Sequence, residues 1–502
     1  MKKISFILST IILCWLSSAT LRAESVQSPA DDLLRQLYSL KGEYYNAETD
    51  QYEQRDDVPC YIVWQGDSVV WFDNLFPDVT FPGGDKVWVK GIVEYGIRIT
   101  IRPQTVYRMT MDHEGMTMVH EFSVASLGTA SDDQEYLDYQ LVNNTRDHRL
   151  EPIQKTATFS LYDQNGTVYS QVKGLYIDEV GDALVTVPAD ADCKTFLMHY
   201  SNQASGQVQT SICRIATKDN KAWIQGLCRS IPDAWLVGNI GDFGTISLEI
   251  GQLLGAYGQE AILYFVGVRK AEGTISKLAL AYQAQTGGYL ISPEYMVAET
   301  TLGLNAYNAY GDVEILPAPT TADTPRSPWN LQVGGSLGEF QYIAFQYETT
   351  GQNDNWLVTD SLYYQVILDG EVLTFSPEYY ESLTAPTDLI PCLYQDGTNF
   401  LQYAVSDMNS LPLFLIYRSA TEWQTVGVKI VYCYFGQETC SEVVTLHNPD
   451  AGIDAHLTDA DRFVNRYDLM GHTLSGITYK GLIIESYLCP DGTHRTTKKL
   501  YR

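Results

Sequence analysis

"CYIVWQGDSVVWFDNLF" (60–76) returns, much altered, as "CRIATKDNKAWIQGLC" (213–228). One gap sets Cys60 on Cys213, Ile62 on Ile215, Trp71 on Trp223 and Leu75 on Leu227. Downstream, "VWVKG" (87–91) matches "AWLVG" (234–238), so Trp88 meets Trp235. From there the two stretches run without a gap to Ile99 and Ile246, and Gln104 and Gln252 follow one residue out of step. "GDALVTVP" (181–188) also resembles "GDVEILP" (311–317). The spacing far exceeds that of short solenoid repeats, so each copy is expected to be a whole β unit.

The local pattern gives the fold class. "IRITIR" (97–102) and "TISLEI" (245–250) alternate apolar with polar residues, which buries one face of a sheet and wets the other. Gly, Asp, Asn and Pro break the runs at short intervals. Thirty-five Tyr and nine Trp suit pleated sheets. One helix is expected near "DDLLRQLYSL" (31–40). The expectation is an all-β chain with two tandem, related antiparallel domains at 24–190 and 191–317. Each is a small barrel or sandwich, and a single elongated sheet built from both is the alternative. The Pro- and Thr-rich "APTTADTPRSP" (318–328) reads as a linker. A third sandwich is expected over 329–447 and a short β tail over 448–502.

The start of the chain gives its address. Lys2 and Lys3 precede the apolar run "ISFILSTIILCWL" (4–16), and "LRA" ends at Ala23. That is the layout of a signal peptide over 1–23. The run is shorter than the ~20 apolar residues a membrane helix needs, and no later segment qualifies. Cleavage would remove Lys2, Lys3 and Arg22 and no acid, so the formal charge would fall by three from −28 to −31. A chain that acidic repels phosphate backbones, which argues against nucleic acid as a partner.

Motifs for chemistry are scarce. "GGSLG" (334–338) fits G-x-S-x-G, but "EFQYIAFQYET" follows with strand alternation where a nucleophile elbow needs a helix. The eight His, at 113, 120, 148, 199, 447, 456, 472 and 494, have no zinc-ligand spacing. His113 and His120 flank "EGMTMV" and could meet across a hairpin. The acidic clusters at 132–133, 190–192 and 454–461 do not follow an EF-hand loop. No residue pattern points to a cofactor. Cys433 and Cys440 flank "YFGQET"; a turn at Gly436-Gln437 would set them opposite each other for a disulfide, and two buried thiols is the other outcome. Trp71, Trp88, Trp223 and Trp235 are the ligand-binding candidates, because aromatic rings on rigid strands suit sugar rings. Core packing is the competing role for all four.

The third segment, carried by "YQVILDGEVLTF" and "VGVKIVYCYFGQETCSEVVTL", resembles the fibronectin type III-like domains of secreted Bacteroidetes proteins. "WIQGL", "IPDAWLVG" and "YFVG" (264–267) are similar to repeat units of surface proteins from the same bacteria. The tail resembles the C-terminal sorting domain of type IX secretion cargo. Its carriers are Tyr467, Asp468, Leu469, Gly471, Lys480, Gly481 and the Lys498-Lys499 pair. It departs at His472, where the family favours Arg or Gln, and at Ile483, where it favours an aromatic. The resemblance implies contact with secretion machinery and a place outside the cell or on the outer-membrane surface. The expected function is a non-catalytic extracellular protein that binds a glycan or protein ligand. A secreted hydrolase with scattered acids and a structural surface component are the alternatives.

Overall fold

The computed structural model describes residues 20–501 except 47–48, 80, 82–86, 114–115, 128–135, 182–183, 304, 338–339, 378–382, 384, 394–401, 404–412, 418–422, 448–461, 468–480 and 489–493. Among the described residues there are strands and two single-turn 3₁₀ segments, Asp242–Gly244 and Thr359–Ser361, and no α-helix. The chain is all-β, and the helix expected at 31–40 is corrected. Those residues turn and enter a strand at Arg35. Tyr38, Leu40, Gly42 and Tyr44 are buried at every second position, with Ser39 buried between the first two, because pairing on both sides of the strand overrides its local helical spacing.

Contacts divide the chain into two compact units, 1–207 with 213–316, and 208–212 with 317–502. The first unit begins with β1 (Thr20–Ser25), β2 (Arg35–Asn46), β3 (Gln51–Gln65), β4 (Val69–Asp73), β5 (Trp88–Glu94), β6 (Arg98–Ile101) and β7 (Gln104–His113). It continues with β8 (Met116–Leu127), β9 (Tyr136–Leu137), β10 (Tyr139–Asn144), β11 (Arg149–Pro152), β12 (Thr158–Asp163) and β13 (Val168–Glu179). Eight of these, in the order β2-β3-β4-β5-β6-β10-β11-β13, close into a ring because β13 pairs back onto β2. A flap of β12, β8, β7 and β1 continues outward from β13, with β9 on β8.

The second half repeats the plan. It contains β14 (Asp192–Asn202), β15 (Val208–Lys218), β16 (Lys221–Gln225), β17 (Trp235–Ile240), β18 (Ile246–Glu249) and β19 (Gln252–Tyr257). Then come β20 (Ala261–Arg269), β21 (Gly273–Ile275), β22 (Lys277–Gln283), β23 (Gly288–Leu290), β24 (Tyr295–Thr300) and β25 (Ala306–Pro317). The ring is β14-β15-β16-β17-β18-β22-β23-β25, closed by β25 on β14, and the flap is β24-β20-β19. Strand for strand, β2–β13 correspond to β14–β25. Only β1 has no counterpart among the described strands.

The repeat reaches single side chains. Cys60, Ile62, Phe72, Val89, Ile99, Leu141 and Ile177 fill the first ring. The same positions in the second hold Cys213, Ile215, Ile224, Leu236, Ile246, Leu280 and Ile315. Closing a ring around side chains requires such inward alternation on every strand. Gln104 Nε2 donates to Lys90 O and its Oε1 accepts from Lys90 N–H. Gln252 makes the same pair with Val237. These amides bridge the backbone where the chain leaves the ring for the flap. Gly91 and Gly238 match as well: a Cβ on either would lie 2.7 or 2.8 Å from the Ile99 or Ile246 side chain. One part of the sequence alignment is corrected. Residues 311–317 lie in β25, but the described residues of 181–188 form no strand. The true counterparts are Val172 and Ile177 for Tyr310 and Ile315, with left-handed Gly174 matching left-handed Asp312.

The two rings touch. Leu253, Ile262 and Tyr264 cluster with Leu37 and Val180, and Asn74 Nδ2 donates to Gln259 O at 3.0 Å.

The second unit has a four-stranded sheet of 329–337, 340–346, 413–417 and 402–403. A six-stranded sheet is built on 362–368 and 425–434, and a three-stranded antiparallel sheet on 462–467, 481–488 and 494–501. "GGSLG" enters a strand that pairs with the strand after it, Ser336 opposite Gln341, so the hydrolase elbow is absent there. Residues 318–328 are not a free linker. Tyr434 OH donates to Pro319 O, Thr439 Oγ1 to Asp323 O, and Ala322 N–H to Gln437 Oε1. Burial would raise the Asp323 carboxyl, but hydrogen bonds from Asn355, Asn353 and the Thr324 N–H hold it below the usual range. The acidic pair at 132–133, the cluster at 454–461, residues 468–480 of the sorting-like motif and Cys489 lie outside the described residues.

Candidate functional site

The four candidate tryptophans lie on the outer faces of the rings. Their strand neighbours Val70, Phe72 and Ile224 point inward. Trp71 stands opposite Val63 and Lys90, and Trp223 opposite Ala216 and Val237. The expected wet aromatic face is nevertheless covered. Trp71, Trp88 and Trp223 are 5, 4 and 7% exposed, and Trp235 is half-buried. Trp71 and Trp88 pack with Val63, Leu33, Tyr61 and Val69. Lys90 Nζ lies 5.3 Å from the Trp71 ring centroid, and Arg35 Cζ 5.5 Å from that of Trp88. Trp71 Nε1 donates to Gln65 Oε1 at 2.9 Å. The Trp71 and Trp88 rings thus each have a cation on one face and apolar neighbours around them, which is a packing role.

The cysteine pair is also displaced from its expected register. The turn falls at Phe435-Gly436, both left-handed, one residue earlier than expected. Cys433 therefore faces Glu438 and Cys440 faces Val431, and both are free thiols. His113 and His120 do not meet: they oppose Met116 and Met109.

The structure opens a different site, at one end of the first ring. A cavity of about 380 Å³ is lined by Tyr38, Trp64, Asn143, Thr145, His148, Arg149, Leu150 and Glu179. These residues come from the start of β2, the end of β3, the β10–β11 hairpin and the end of β13, which antiparallel pairing gathers at one mouth. Tyr38 and Leu150 belong to the core and form the floor. Burial and the Glu179 charge raise the Tyr38 phenol above its usual range, opposed by its hydrogen bond with Trp64. Arg149 is held by Asp178 at 2.8 Å. His148 Nδ1 lies 3.2 Å from Glu179 Oε2. On the rim, Asn143 N–H donates to Ile97 O, and the adjacent Tyr95 is 89% exposed.

The second ring carries other side chains at the corresponding end although its backbone matches. Trp64 becomes Thr217, and Asn143 and Leu150 become Tyr282 and Tyr289. These two tyrosines meet edge to face at 5.5 Å, and Phe196 lies 6.1 Å from Tyr289. His148 and Arg149 become Gly287 and Gly288, and Glu179 becomes Pro317. His148 keeps the left-handed φ of its glycine counterpart, 51° against 71°. Eleven other described non-glycine residues take such a φ, so the angle marks the tight turn that both hairpins share.

A second cavity, about 120 Å³ among Leu75, Phe76, Val79, Phe81 and neighbours, is below the size usual for ligand pockets. No family model matches the sequence, and no curated protein matches it significantly.

Sequence reasoning weighed His148 only as a metal ligand and singled out no other lining residue. The available signal was negative: Trp64 is a tryptophan that the repeat does not repeat.

Proposed function

We propose that this is an exported protein of the cell surface or its surroundings that binds a glycan at the mouth of the first ring, the second ring being a scaffold copy. The mouth carries the reading. Tyr38 and Trp64 offer apolar ring surface, while Asn143, Thr145, His148, Arg149 and Glu179 offer donors and acceptors around it. Sugars need that combination, an apolar face bounded by hydroxyls. The volume suits one sugar ring, and exposed Tyr95 offers a stacking surface to the next. The basic, apolar, small-residue layout of 1–23 supports export, and the sorting-like tail supports delivery to the outer surface. Hydrolysis has less support, since Glu179 is the one carboxylate among the described lining residues and glycoside cleavage ordinarily takes two.

The test is binding of residues 24–502 to immobilised oligosaccharides and matrix proteins, beside Trp64→Thr and Arg149→Gly. The expected result is a glycan signal weakened at least about tenfold in both variants, each still unfolding in one cooperative transition. No glycan signal, or one indifferent to both changes, would overturn the proposal.

A further inference from the structure

One edge of the first sheet is completed by a strand that a cleaved chain could not keep. β1 lies antiparallel on β7, from Thr20 opposite Asp112 to Ser25 opposite Tyr107. The flap of the second ring ends at β19, the counterpart of β7. Cleavage after Ala23 would cut β1 in its middle and remove Thr20, Leu21, Arg22 and Ala23. Glu24 and Ser25 alone cover little of the edge, so the outward backbone groups from Met109 to Asp112 lose their partners. An unpaired edge of that length is a template for another strand.

We propose that in the mature protein β7 pairs with β7 of a second copy, giving a two-fold dimer. The sequence of the edge selects this occupant. Antiparallel self-pairing about a two-fold axis makes one residue face itself. Centred on Thr110, it sets Met109 opposite Met111 and Arg108 opposite Asp112, the latter twice. Opposite charges on facing positions stabilise a strand pair, and like charges oppose it. The span 108–112 takes in the edge freed from Met109 to Asp112, and the partner's Asp112 displaces the terminal Glu24 from its place opposite Arg108. Tyr107 and Met109 are buried in the ring core, so alternation puts position 108 on the other face, where Arg108 also reaches Glu121 at 2.7 Å. The proposal rests on the export reading in one respect, cleavage after Ala23, and is independent of the ligand.

The test is the sedimentation of the exported chain, with its N-terminus determined by mass spectrometry. The expected chain starts at Glu24 and is dimeric at micromolar concentration, whereas residues 20–502, which keep β1, are monomeric. Excess TLRAES peptide, the sequence of 20–25, returns the dimer to monomer. Arg108→Asp weakens dimerisation at least about tenfold, and adding Asp112→Arg restores it, which separates pairing from misfolding. A monomeric chain starting at Glu24 overturns the proposal and leaves the export reading standing. So does a dimer indifferent to the peptide and to Arg108→Asp. An N-terminus at Thr20 overturns the proposal, because β1 then stays in place, and leaves the export reading standing; an uncleaved chain starting at Met1 counts against both.

Discussion

The two rings share a strand order, a core and a backbone clamp, yet one mouth holds a cavity and the other holds tyrosines. Positions that agree are those each ring needs in order to close: Cys60 with Cys213, Ile99 with Ile246, Gln104 with Gln252. Positions that disagree gather at one end: Trp64 against Thr217, His148 against Gly287, Arg149 against Gly288. Repetition within a chain therefore marks scaffold, and its local failure marks the place free to do something else. By that logic the matching tryptophans pack the scaffold, and the unmatched one stands where we propose that the ligand binds.

The largest effect that could break this division is at the tryptophans. Trp71→Ala and Trp223→Ala should each destabilise the mature chain by about 3–5 kcal/mol, the usual cost of emptying a buried aromatic site. Denaturant unfolding checks it. A folded Trp71→Ala protein that had only lost a ligand would reverse the assignment.

Next are the glycines of close approach. Gly91→Ala and Gly238→Ala should cost about 1–3 kcal/mol each, because the added methyl meets an isoleucine at under 3 Å in a packed core. Equal losses in thermal unfolding would confirm that the rings are equivalent at this crossing. A neutral change at one of them would show that its ring is looser.

Gln104→Ala and Gln252→Ala sharpen the comparison further. Each leaves a backbone N–H and a C=O without their partner, at about 1–3 kcal/mol if water cannot replace it. Hydrogen exchange at Lys90 and Val237 should rise in the matching variant alone. The smallest effect is at the mouth. His148→Gly installs the second ring's residue and should leave stability within about 1 kcal/mol, since relief of a left-handed backbone offsets the entropy of glycine. A large loss would make His148 structural.

How much of this could be read beforehand follows the same line. The repeated unit was legible because Cys, Trp and Ile recur at inward or packed positions, and even Gln104 and Gln252 stood within one residue of register. The stretch 31–40 misled because Leu33, Leu34, Leu37 and Tyr38 are spaced as on a helix, while pairing with β3 and β13 imposes a strand. The Cys433–Cys440 register failed because turn rules favour Asn or Asp before Gly, and here Phe435 takes the left-handed position. The mouth of the first ring was illegible for another reason. Its residues come from β2, β3, β10, β11 and β13 and meet only once the ring closes. The cavity also depends on Asn143 and Leu150 being smaller than Tyr282 and Tyr289, a difference no motif records.

The most direct measurement is a calorimetric titration of residues 24–502 with the best oligosaccharide from the panel, repeated on the triple variant Trp64→Thr, His148→Gly, Arg149→Gly. These changes rebuild the first mouth with residues of the second. The account predicts binding heat from the unaltered chain, none from the triple variant, and cooperative unfolding of both. Retained affinity in the folded triple variant would contradict it.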